Sequence, residues 1–393
     1  MDLFEKCAKA TEYELGLKQS GHYLFFRKFN SPQDSESVVN GKRVIMIGSN
    51  NYLGLANHPR VKEAAIKAIE KYGTGCSGSR FLNGNLDIHE ELENKLATFF
   101  RKEAALVFST GYQTNLGTIS SLIERNDIVI MDKGDHASII DGCRLSFGKV
   151  HKFRHNDMDD LERLLDATKV HHKLIIVDGV FSMDGDLADL PNIVRLAKAY
   201  GAKIMVDDAH AIGVLGKGGR GTAEHFGLES EVDIIMGTFS KSLAAIGGFV
   251  AGRADVICWI KHLARSMIFS AALPSCLVAS VSTALDIIKE QPELIARLWR
   301  NTNKMLSGLK SLGYDTGMSE TPIIPIFVGD TMKTYQMCKL LYDNGVFVNP
   351  VISPAVPAGR ELLRTSYMAT HTEKQLDTAL AGFEKVGKQV GVI

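Results

Sequence analysis

Two stretches of the sequence end in residues that could carry out chemistry. Asp207 and His210 follow the apolar run 204–206, and Lys241 follows a second apolar run at 234–236. A lysine near the end of a buried strand loses solvation, which lowers its pKa toward the range in which the amine is nucleophilic. Lys241 alone is more typical of a solvated loop, and the neighbouring aspartate and histidine change that interpretation. Together they indicate a cofactor or substrate site at the carboxyl edge of a sheet.

Asp207 has three interpretations: a metal ligand, a general base, or a carboxylate that keeps a heterocyclic nitrogen protonated. No second cluster of His, Asp or Glu lies at ligand spacing, so no metal is expected. The third interpretation fits Lys241, whose amine can form a Schiff base, and the turn 109–112, whose backbone N–H groups can bind a phosphate. These are the parts that pyridoxal phosphate requires, and we predict it as the cofactor.

Two further interpretations involve serine and histidine side chains. Ser109 and Ser182 are available for Ser-His-Asp hydrolysis, but no G-x-S-x-G motif occurs, which disfavours that chemistry. His136 follows the apolar run 128–131, where its flat ring could stack on an aromatic cofactor, and a structural role fits its spacing equally well. The glycine-rich loop 73–80 could bind a phosphate through its backbone N–H groups, but it matches neither the Walker pattern nor G-x-G-x-x-G. A loop at the active site or at a subunit contact fits it equally well.

The intervening sequence predicts the elements that position these residues. Continuous apolar runs, typical of strands buried on both faces, alternate with helical patterns at 86–101, near Thr114 and at 190–200. The predicted strands are 104–108, 128–132, 174–178, 203–207, 233–237 and 248–251. This pattern predicts an α/β fold with a large, doubly wound, mostly parallel sheet in residues 51–272. The N-terminal arm 1–50 and residues 273–393 are predicted to form a smaller α+β domain, with strands near 323–328 and 346–349.

Composition limits the class of protein. The 393 residues carry 45 Lys+Arg and 45 Asp+Glu, so no overall charge favours nucleic acid or an anionic membrane. The six cysteines are scattered without a C-x-x-C pair, as expected for reduced thiols in the cytoplasm. We find neither a signal-peptide pattern nor an apolar run of the roughly 18 to 20 residues that a membrane span needs. These features predict a cytoplasmic enzyme without a transmembrane segment.

Eight motifs, in order along the chain, carry a resemblance to a known family. The chain resembles the α-oxoamine synthases, which are pyridoxal-phosphate enzymes of fold type I, over essentially its whole length. The motifs are SNNYLGL (49–55), GTGCSGSRFLNGNLDIHEELE (73–93), FSTGYQTN (108–115), DHASIIDGCRLS (135–146), DGVFSMDGDLADL (178–190), VDDAHAIGVLG (206–216), GTFSKSLAAIGGFVAG (237–252) and LLRTSYMATHT (362–372).

The resemblance implies a role for each matching residue. Lys241 is implied to be the Schiff-base lysine, Asp207 the partner of the pyridine nitrogen, and His136 the residue that stacks on the ring and positions the amino acid. Further implied cofactor contacts are Gly111, Tyr112, Ser182, His210 and Thr238, with Ala271 and Ala272 from the neighbouring subunit. Asn50 and Arg364 are implied to bind substrate, Arg364 at its carboxylate. A homodimer with active sites at the subunit interface is therefore expected.

The implied reaction is a decarboxylative condensation of an amino acid with an acyl-CoA. RSMIFSAAL (265–273) and FVNPVISPAVP (347–357) resemble the soluble bacterial serine palmitoyltransferase group. That group implies L-serine and palmitoyl-CoA as substrates and 3-ketodihydrosphingosine, CoA and CO2 as products, the first step of sphingolipid synthesis. Peripheral contact with the inner membrane face stays open.

Two alternatives to this activity are retained. ANHP (56–59) and GKQVGVI (387–393) also resemble glycine C-acetyltransferase, so a synthase with a shorter acyl-CoA is the alternative substrate assignment. An inactive regulatory homologue is disfavoured because Lys241, Asp207 and His136 are all present.

Overall fold

The computed structural model describes residues 2–393. Long apolar runs form the strands at the centre of the molecule. The strands are β1 (Glu36–Val39), β2 (Lys42–Met46), β3 (Ala104–Phe108), β4 (Ile128–Asp132), β5 (Lys149–Phe153), β6 (Lys173–Asp178), β7 (Lys203–Asp207), β8 (Ile234–Thr238), β9 (Gly248–Gly252), β10 (Ile323–Phe327), β11 (Val346–Phe347), β12 (Asn349–Val351) and β13 (Leu362–Ser366).

Helices connect and cover these strands. They are α1 (Glu5–Gln19), α2 (Pro59–Tyr72), α3 (Asp87–Phe99), α4 (Gly111–Leu122), α5 (Ala137–Leu145), α6 (Met158–Ala167), α7 (Leu190–Tyr200), α8 (Thr222–His225), α9 (Ala254–Leu263), α10 (Arg265–Ile268), α11 (Ser275–Glu290), α12 (Glu293–Ser311), α13 (Thr331–Asp343) and α14 (Glu373–Val390). Within the described residues, no helix is long and apolar enough to cross a membrane.

The central sheet has seven strands in the order β3-β9-β8-β7-β6-β4-β5. Only β9 runs antiparallel to its neighbours, so the sheet is mostly parallel, as predicted. All residues of β4, β6, β8 and β9 are buried. Burial on both faces explains their continuous apolar sequences, because helices cover each face of such a sheet. Because β4, β6, β7 and β8 are parallel neighbours, their carboxyl ends lie side by side.

Two smaller sheets complete the fold. One has the order β1-β2-β11, and the other, antiparallel, has the order β10-β13-β12. The second sheet places Arg364 of β13 opposite Pro325 and Asn349. Its strands are short, and a separate cluster of buried residues around Ile324 and Phe383 packs against them. The division of the chain at residues 51 and 273 stays a prediction.

The element predictions differ from the structure at a few points. The helix expected near Thr114 begins at Gly111. Its N-terminus therefore lies in the turn 109–112, which the sequence predicts to bind a phosphate. The strand expected at 346–349 is two strands, because β11 pairs with β2 whereas β12 pairs with β13. Sequence patterning missed β1, β5 and β13. The edge strand β5 is mostly exposed and polar, so it lacks the apolar run on which the predictions depended.

Candidate active site

A cavity of about 300 Å³ opens at the carboxyl edge of the central sheet. Asp178 and Asp207 lie opposite each other at the ends of β6 and β7, and Thr238 ends β8. A volume of this size is typical of a small-molecule pocket. Seven of the residues predicted from the sequence line it: Gly111, Tyr112, His136, Asp207, His210, Thr238 and Lys241.

The N-terminus of α4 forms one wall of the cavity. The Thr110 side chain caps the helix by accepting a hydrogen bond from the Gln113 N–H at 3.0 Å. A Cβ atom at Gly111 would lie 2.6 Å from Thr238 Oγ1, so only glycine lets the helix begin this close to β8. Because Thr110, Gly111 and Tyr112 line the cavity, the uncapped N–H groups and the helix dipole face it. The Ser240 and Thr238 hydroxyl oxygens lie 2.9 Å apart. This wall can bind an anion such as a phosphate.

Asp207 is buried at the base of the cavity. Its Oδ2 accepts a hydrogen bond from Asn115 Nδ2 at 2.7 Å, and its Oδ1 accepts one from the Ala209 N–H at 3.0 Å. Asn115 also donates to Ser138 Oγ, which in turn lies 2.7 Å from His136 Nδ1. The two hydrogen bonds fix the orientation of the carboxylate. The network links it to His136, which also lines the cavity.

Lys241 follows β8 and is partly buried in the cavity wall. Burial lowers the pKa of its amine to about 8, the negative charge of Asp207 opposes that shift, and the positive charge of Arg364 adds to it. A larger fraction of the amine is therefore uncharged near neutral pH than for an exposed lysine. An uncharged amine can act as a nucleophile or accept a proton.

The two cavity histidines differ in their surroundings. His210 is buried, and its Nδ1 lies 2.7 Å from the hydroxyl of Tyr52. Burial, with the nearby charges of Lys241 and Arg364, holds the pKa of His210 well below its ordinary value, so this ring is neutral at pH 7. His136 is exposed toward the cavity and meets the Tyr112 ring edge-on at 6.3 Å. Desolvation at the cavity wall lowers its pKa, although the charge of Asp207 opposes the shift.

Asp178 and Asn115 line the cavity, yet the sequence interpretation assigned them no role. Asp178 is buried, and no hydrogen-bond partner reaches its Oδ1 within residues 2–393. Burial and the charge of neighbouring Asp207 raise the pKa of Asp178 well above its ordinary value. A neutral carboxyl group can lie beside Asp207 without charge repulsion. Asp178 ends its apolar run as Asp207 does, and that shared position could have identified it.

Arg364 lies on β13 and is not among the residues that line the cavity. It is buried, and its Nε donates to the Ser182 carbonyl at 2.6 Å while its Nη1 donates to Asn50 Oδ1 at 3.0 Å. Within residues 2–393 its Nη2 has no hydrogen-bond partner. Asn50 Oδ1 also accepts from the Tyr52 hydroxyl, which lies 2.7 Å from His210 Nδ1, so hydrogen bonds link Arg364 to the cavity lining. The structure therefore brings Asn50, Ser182 and Arg364 together as one group.

Ala271 and Ala272 also lie outside the cavity lining of the same chain. The Ala272 N–H donates to the Gly78 carbonyl at 2.9 Å, and the Ala271 carbonyl accepts from the Ser109 hydroxyl. These contacts place the segment against the glycine-rich loop 73–80. Next to it, Phe269 has 78% of its surface exposed. Among residues 2–393, no group of three or more His, Cys, Asp or Glu side chains could hold a metal ion.

Comparison with known proteins places this chain in a family. The model for aminotransferase class I and II matches residues 42–383. The chain belongs to this family. The serine palmitoyltransferase of Sphingobacterium spiritivorum is 55% identical over 96% of this chain and 94% of its own length. An 8-amino-7-oxononanoate synthase from Thermoanaerobacter pseudethanolicus is 49% identical over 96% of each chain. These relatives confirm the resemblance to the α-oxoamine synthases.

A solved structure agrees over the whole molecule. A structure described as serine palmitoyltransferase with a pyridoxal-phosphate internal aldimine superposes with a TM-score of 0.97, at 38% identity and with 100% of each chain covered. The predicted fold class, type I with a large mostly parallel sheet, is therefore confirmed. The cofactor of that relative is the one that the sequence predicts for this chain.

Proposed function

We propose that the protein is a pyridoxal-phosphate-dependent acyltransferase that condenses L-serine with palmitoyl-CoA, giving 3-ketodihydrosphingosine, CoA and CO2. The observation that carries the reaction class is the meeting of Lys241, Asp207 and the N-terminus of α4 in one cavity. The choice of serine and a long acyl chain is supported by the 55% identity to a serine palmitoyltransferase over nearly the whole chain.

The residues of the cavity fit the cofactor. The α4 N-terminus with Gly111, Tyr112 and Thr238 would hold the phosphate, and Lys241 would hold the aldehyde carbon. Asp207, oriented by Asn115, would face the ring nitrogen and favour its protonated form. When bound, pyridoxal phosphate supplies an electron sink for a carbanion at the amino-acid Cα.

Two further residues would complete the cofactor site. His136 would lie on the face of the ring, because it is exposed toward the cavity. His210 would lie near the phenolic oxygen as a neutral ring, since its pKa is held well below the ordinary value. Ser182 keeps its place in this proposal beside the ring, although in the structure it reaches the site through its carbonyl group and Arg364.

Substrate handling is assigned to Arg364 and Lys241. The unpaired Nη2 of Arg364 is a buried donor that can bind the amino-acid carboxylate, and Asn50 and the Ser182 carbonyl hold the guanidinium in place. Lys241, with a pKa of about 8, is suited to take the Cα proton and to return a proton near neutral pH. His136, at the cavity wall, positions the incoming amino acid.

We also propose a cytoplasmic homodimer whose active sites lie at the subunit interface. The exposed Phe269, next to Ala271 and Ala272, supports an interface there, because a large apolar side chain in contact with water favours burial by a partner. In the dimer, Ala271 and Ala272 would contact the cofactor of the neighbouring subunit. The protein takes up the acyl-CoA from water or while it is in peripheral contact with the inner membrane face. Sedimentation of the holoenzyme tests the proposed homodimer. A fully active monomer would contradict active sites at a subunit interface.

A second assignment is favoured by a specific relative. The 8-amino-7-oxononanoate synthase is 49% identical, so a synthase named for a different product lies almost as near to this chain. A synthase using a shorter acyl-CoA, glycine C-acetyltransferase included, is therefore the alternative.

One screen separates these assignments. The purified holoenzyme is titrated with L-serine, glycine and L-alanine while the visible absorbance of the cofactor is followed. Each amino acid is then assayed with palmitoyl-CoA, a medium-chain acyl-CoA and acetyl-CoA. We expect turnover with serine and palmitoyl-CoA to exceed every other pair. Turnover of glycine with acetyl-CoA, and none of serine with palmitoyl-CoA, would reject the assignment.

A further inference from the structure

His155, just after β5, bridges two carboxylates outside the cavity. Its Nδ1 lies 2.9 Å from Asp132 Oδ1, and its Nε2 lies 2.9 Å from Asp186 Oδ2. A neutral imidazole has a single N–H group, so donation to two carboxylates requires the imidazolium. The hydrogen bonds to Asp132 and Asp186 raise the pKa of His155 to about 10, in agreement with that geometry.

The first carboxylate is a fixed anchor. Asp132 ends β4 and is fully buried, and its Oδ1 also accepts a hydrogen bond from the Gly134 N–H at 2.7 Å. Its Oδ2 accepts one from the Asn156 N–H at 2.9 Å. The imidazolium therefore joins the rigid end of β4 to the second carboxylate, Asp186.

The second carboxylate belongs to the turn 180–187, which we call the arginine-holding turn. The Phe181 N–H donates to the Asp186 carbonyl at 3.0 Å, and Asn156 donates to Asp186 Oδ2 at 3.1 Å. The His155 ring packs edge-on against Phe181, with the ring centroids 4.3 Å apart. His155 thus holds this turn by a charged hydrogen bond and an aromatic contact.

The arginine-holding turn is also the turn that positions Arg364. The Ser182 carbonyl within it accepts the Arg364 Nε–H at 2.6 Å. At its other end, the Gly185 carbonyl accepts from Thr321 Oγ1 at 2.9 Å. A Cβ atom at Gly185 would lie 2.1 Å from the Ile323 carbonyl, so the turn packs tightly against the sheet that carries Arg364. A shift of the turn would consequently move the guanidinium.

We propose that His155 is a positioning residue for the amino-acid carboxylate, acting through the arginine-holding turn on Arg364. It touches neither substrate nor cofactor. It clamps Asp186 to Asp132, the clamp fixes the Ser182 carbonyl, and that carbonyl aims the guanidinium at the cavity. The inference rests on the role proposed above for Arg364.

The test compares His155→Gln with His172→Gln in the holoenzyme. Glutamine has a single donor nitrogen and carries no charge, so it loses the bridge between the two carboxylates. His172 has 96% of its side chain exposed and serves as the matched control. For His155→Gln we expect the KM of the amino acid to rise roughly tenfold, since small misplacements of a binding group have effects of this order. Its kcat and the KM of the acyl-CoA should change less than about twofold, and His172→Gln should match the wild type.

A double-mutant cycle separates positioning from general destabilisation. In an Arg364→Lys background, His155→Gln should raise the amino-acid KM by less than about twofold, because its effect passes through the arginine. An unreduced effect in that background would overturn the proposal. So would a fall in kcat and a rise in both KM values that follow the loss of thermal stability.

A second variant covers the case in which His155→Gln does not fold. Asp186→Asn removes the charge from the turn and leaves its shape, and we expect the same selective rise in the amino-acid KM. An unchanged KM in this variant would overturn the proposal. All assays use the amino acid that the wild type accepts in the screen above, so a wild type that prefers glycine would reject the serine assignment and leave this test intact.

Discussion

Both edges of the central sheet carry cavities with ionisable side chains, and the two cavities differ in how those side chains are paired. The cavity at the carboxyl edge holds about 300 Å³, and one at the amino edge holds about 250 Å³. At the amino edge, Lys203 is paired with Asp233 at 2.9 Å, and Arg253 is paired with Asp255. At the carboxyl edge, Asp178 Oδ1 and Arg364 Nη2 have no partner within residues 2–393.

Two lysines with lowered pKa values show the meaning of this difference. Burial lowers the pKa of Lys173, at the start of β6, as it does that of Lys241. The Lys173 ammonium donates to the backbone carbonyls of Thr168, Lys169 and His171, so it closes a loop. The shift of Lys241 arises from burial and from charges, with no hydrogen bond among its causes. The lowered pKa of Lys173 thus belongs to an amine held by backbone carbonyl groups, whereas that of Lys241 belongs to an amine in a cavity, where a perturbed pKa points to reactivity.

The largest expected effect follows from exchanging these lysines for apolar residues. Lys241→Met should lower kcat by a factor of about a thousand or more, because the nucleophile and proton carrier is lost. Lys173→Met removes a comparable amine from the other edge and should leave kcat within about threefold. Steady-state assays and the visible absorbance of the bound cofactor measure both. Comparable losses in the two variants would mean that the contrast between the edges is wrong.

A smaller but still large effect is expected from the aspartates. Asp207→Asn should lower kcat by a factor of about a hundred or more, because a neutral amide no longer favours a protonated ring nitrogen. Asp233→Asn is the matched control at the amino edge, where the carboxylate accepts the Lys203 ammonium and the Ile204 N–H. It should lower stability without changing kcat. Normal turnover in Asp207→Asn would remove the basis for the proposed cofactor geometry.

The predictable part of the site is the part that follows buried strands. Asp207, Lys241 and Thr238 each come at or just after the end of a continuous apolar run, and parallel strands bring such ends together whatever the rest of the fold does. The sheet and most of its strands could be predicted for the same reason, since burial on both faces leaves an unbroken apolar sequence.

The unpredictable part depends on contacts between segments distant in the chain. From residue patterns alone Arg364 resembles a surface charge, because its burial requires Asn50 and the Ser182 carbonyl, each of which lies in another part of the sequence. Only the family resemblance pointed to it. The bridge made by His155 is of the same kind, since neither Asp132 nor Asp186 lies at a helical or strand spacing from it.

The smallest expected effect concerns stability and tests the burial of Lys241 directly. Its pKa is about 8 in the folded protein and 10.5 ordinarily, so the unfolded chain binds this proton more tightly. The resulting penalty on folding is complete below pH 8 and fades as the pH rises to 10.5. In the cofactor-free protein at pH 7, Lys241→Met should therefore raise the free energy of unfolding by about 1 to 3 kcal/mol.

Urea unfolding at several pH values measures this difference, which should shrink steadily between pH 8 and 10.5. Lys173→Met provides the contrast, because its amine satisfies three carbonyl groups that methionine would leave unpaired, so it should lower the free energy of unfolding. Equal stability of the wild type and Lys241→Met at pH 7 would mean that the amine is solvated in the cofactor-free protein. A gain for one lysine and a loss for the other would show that the same burial serves reactivity at one edge and structure at the other.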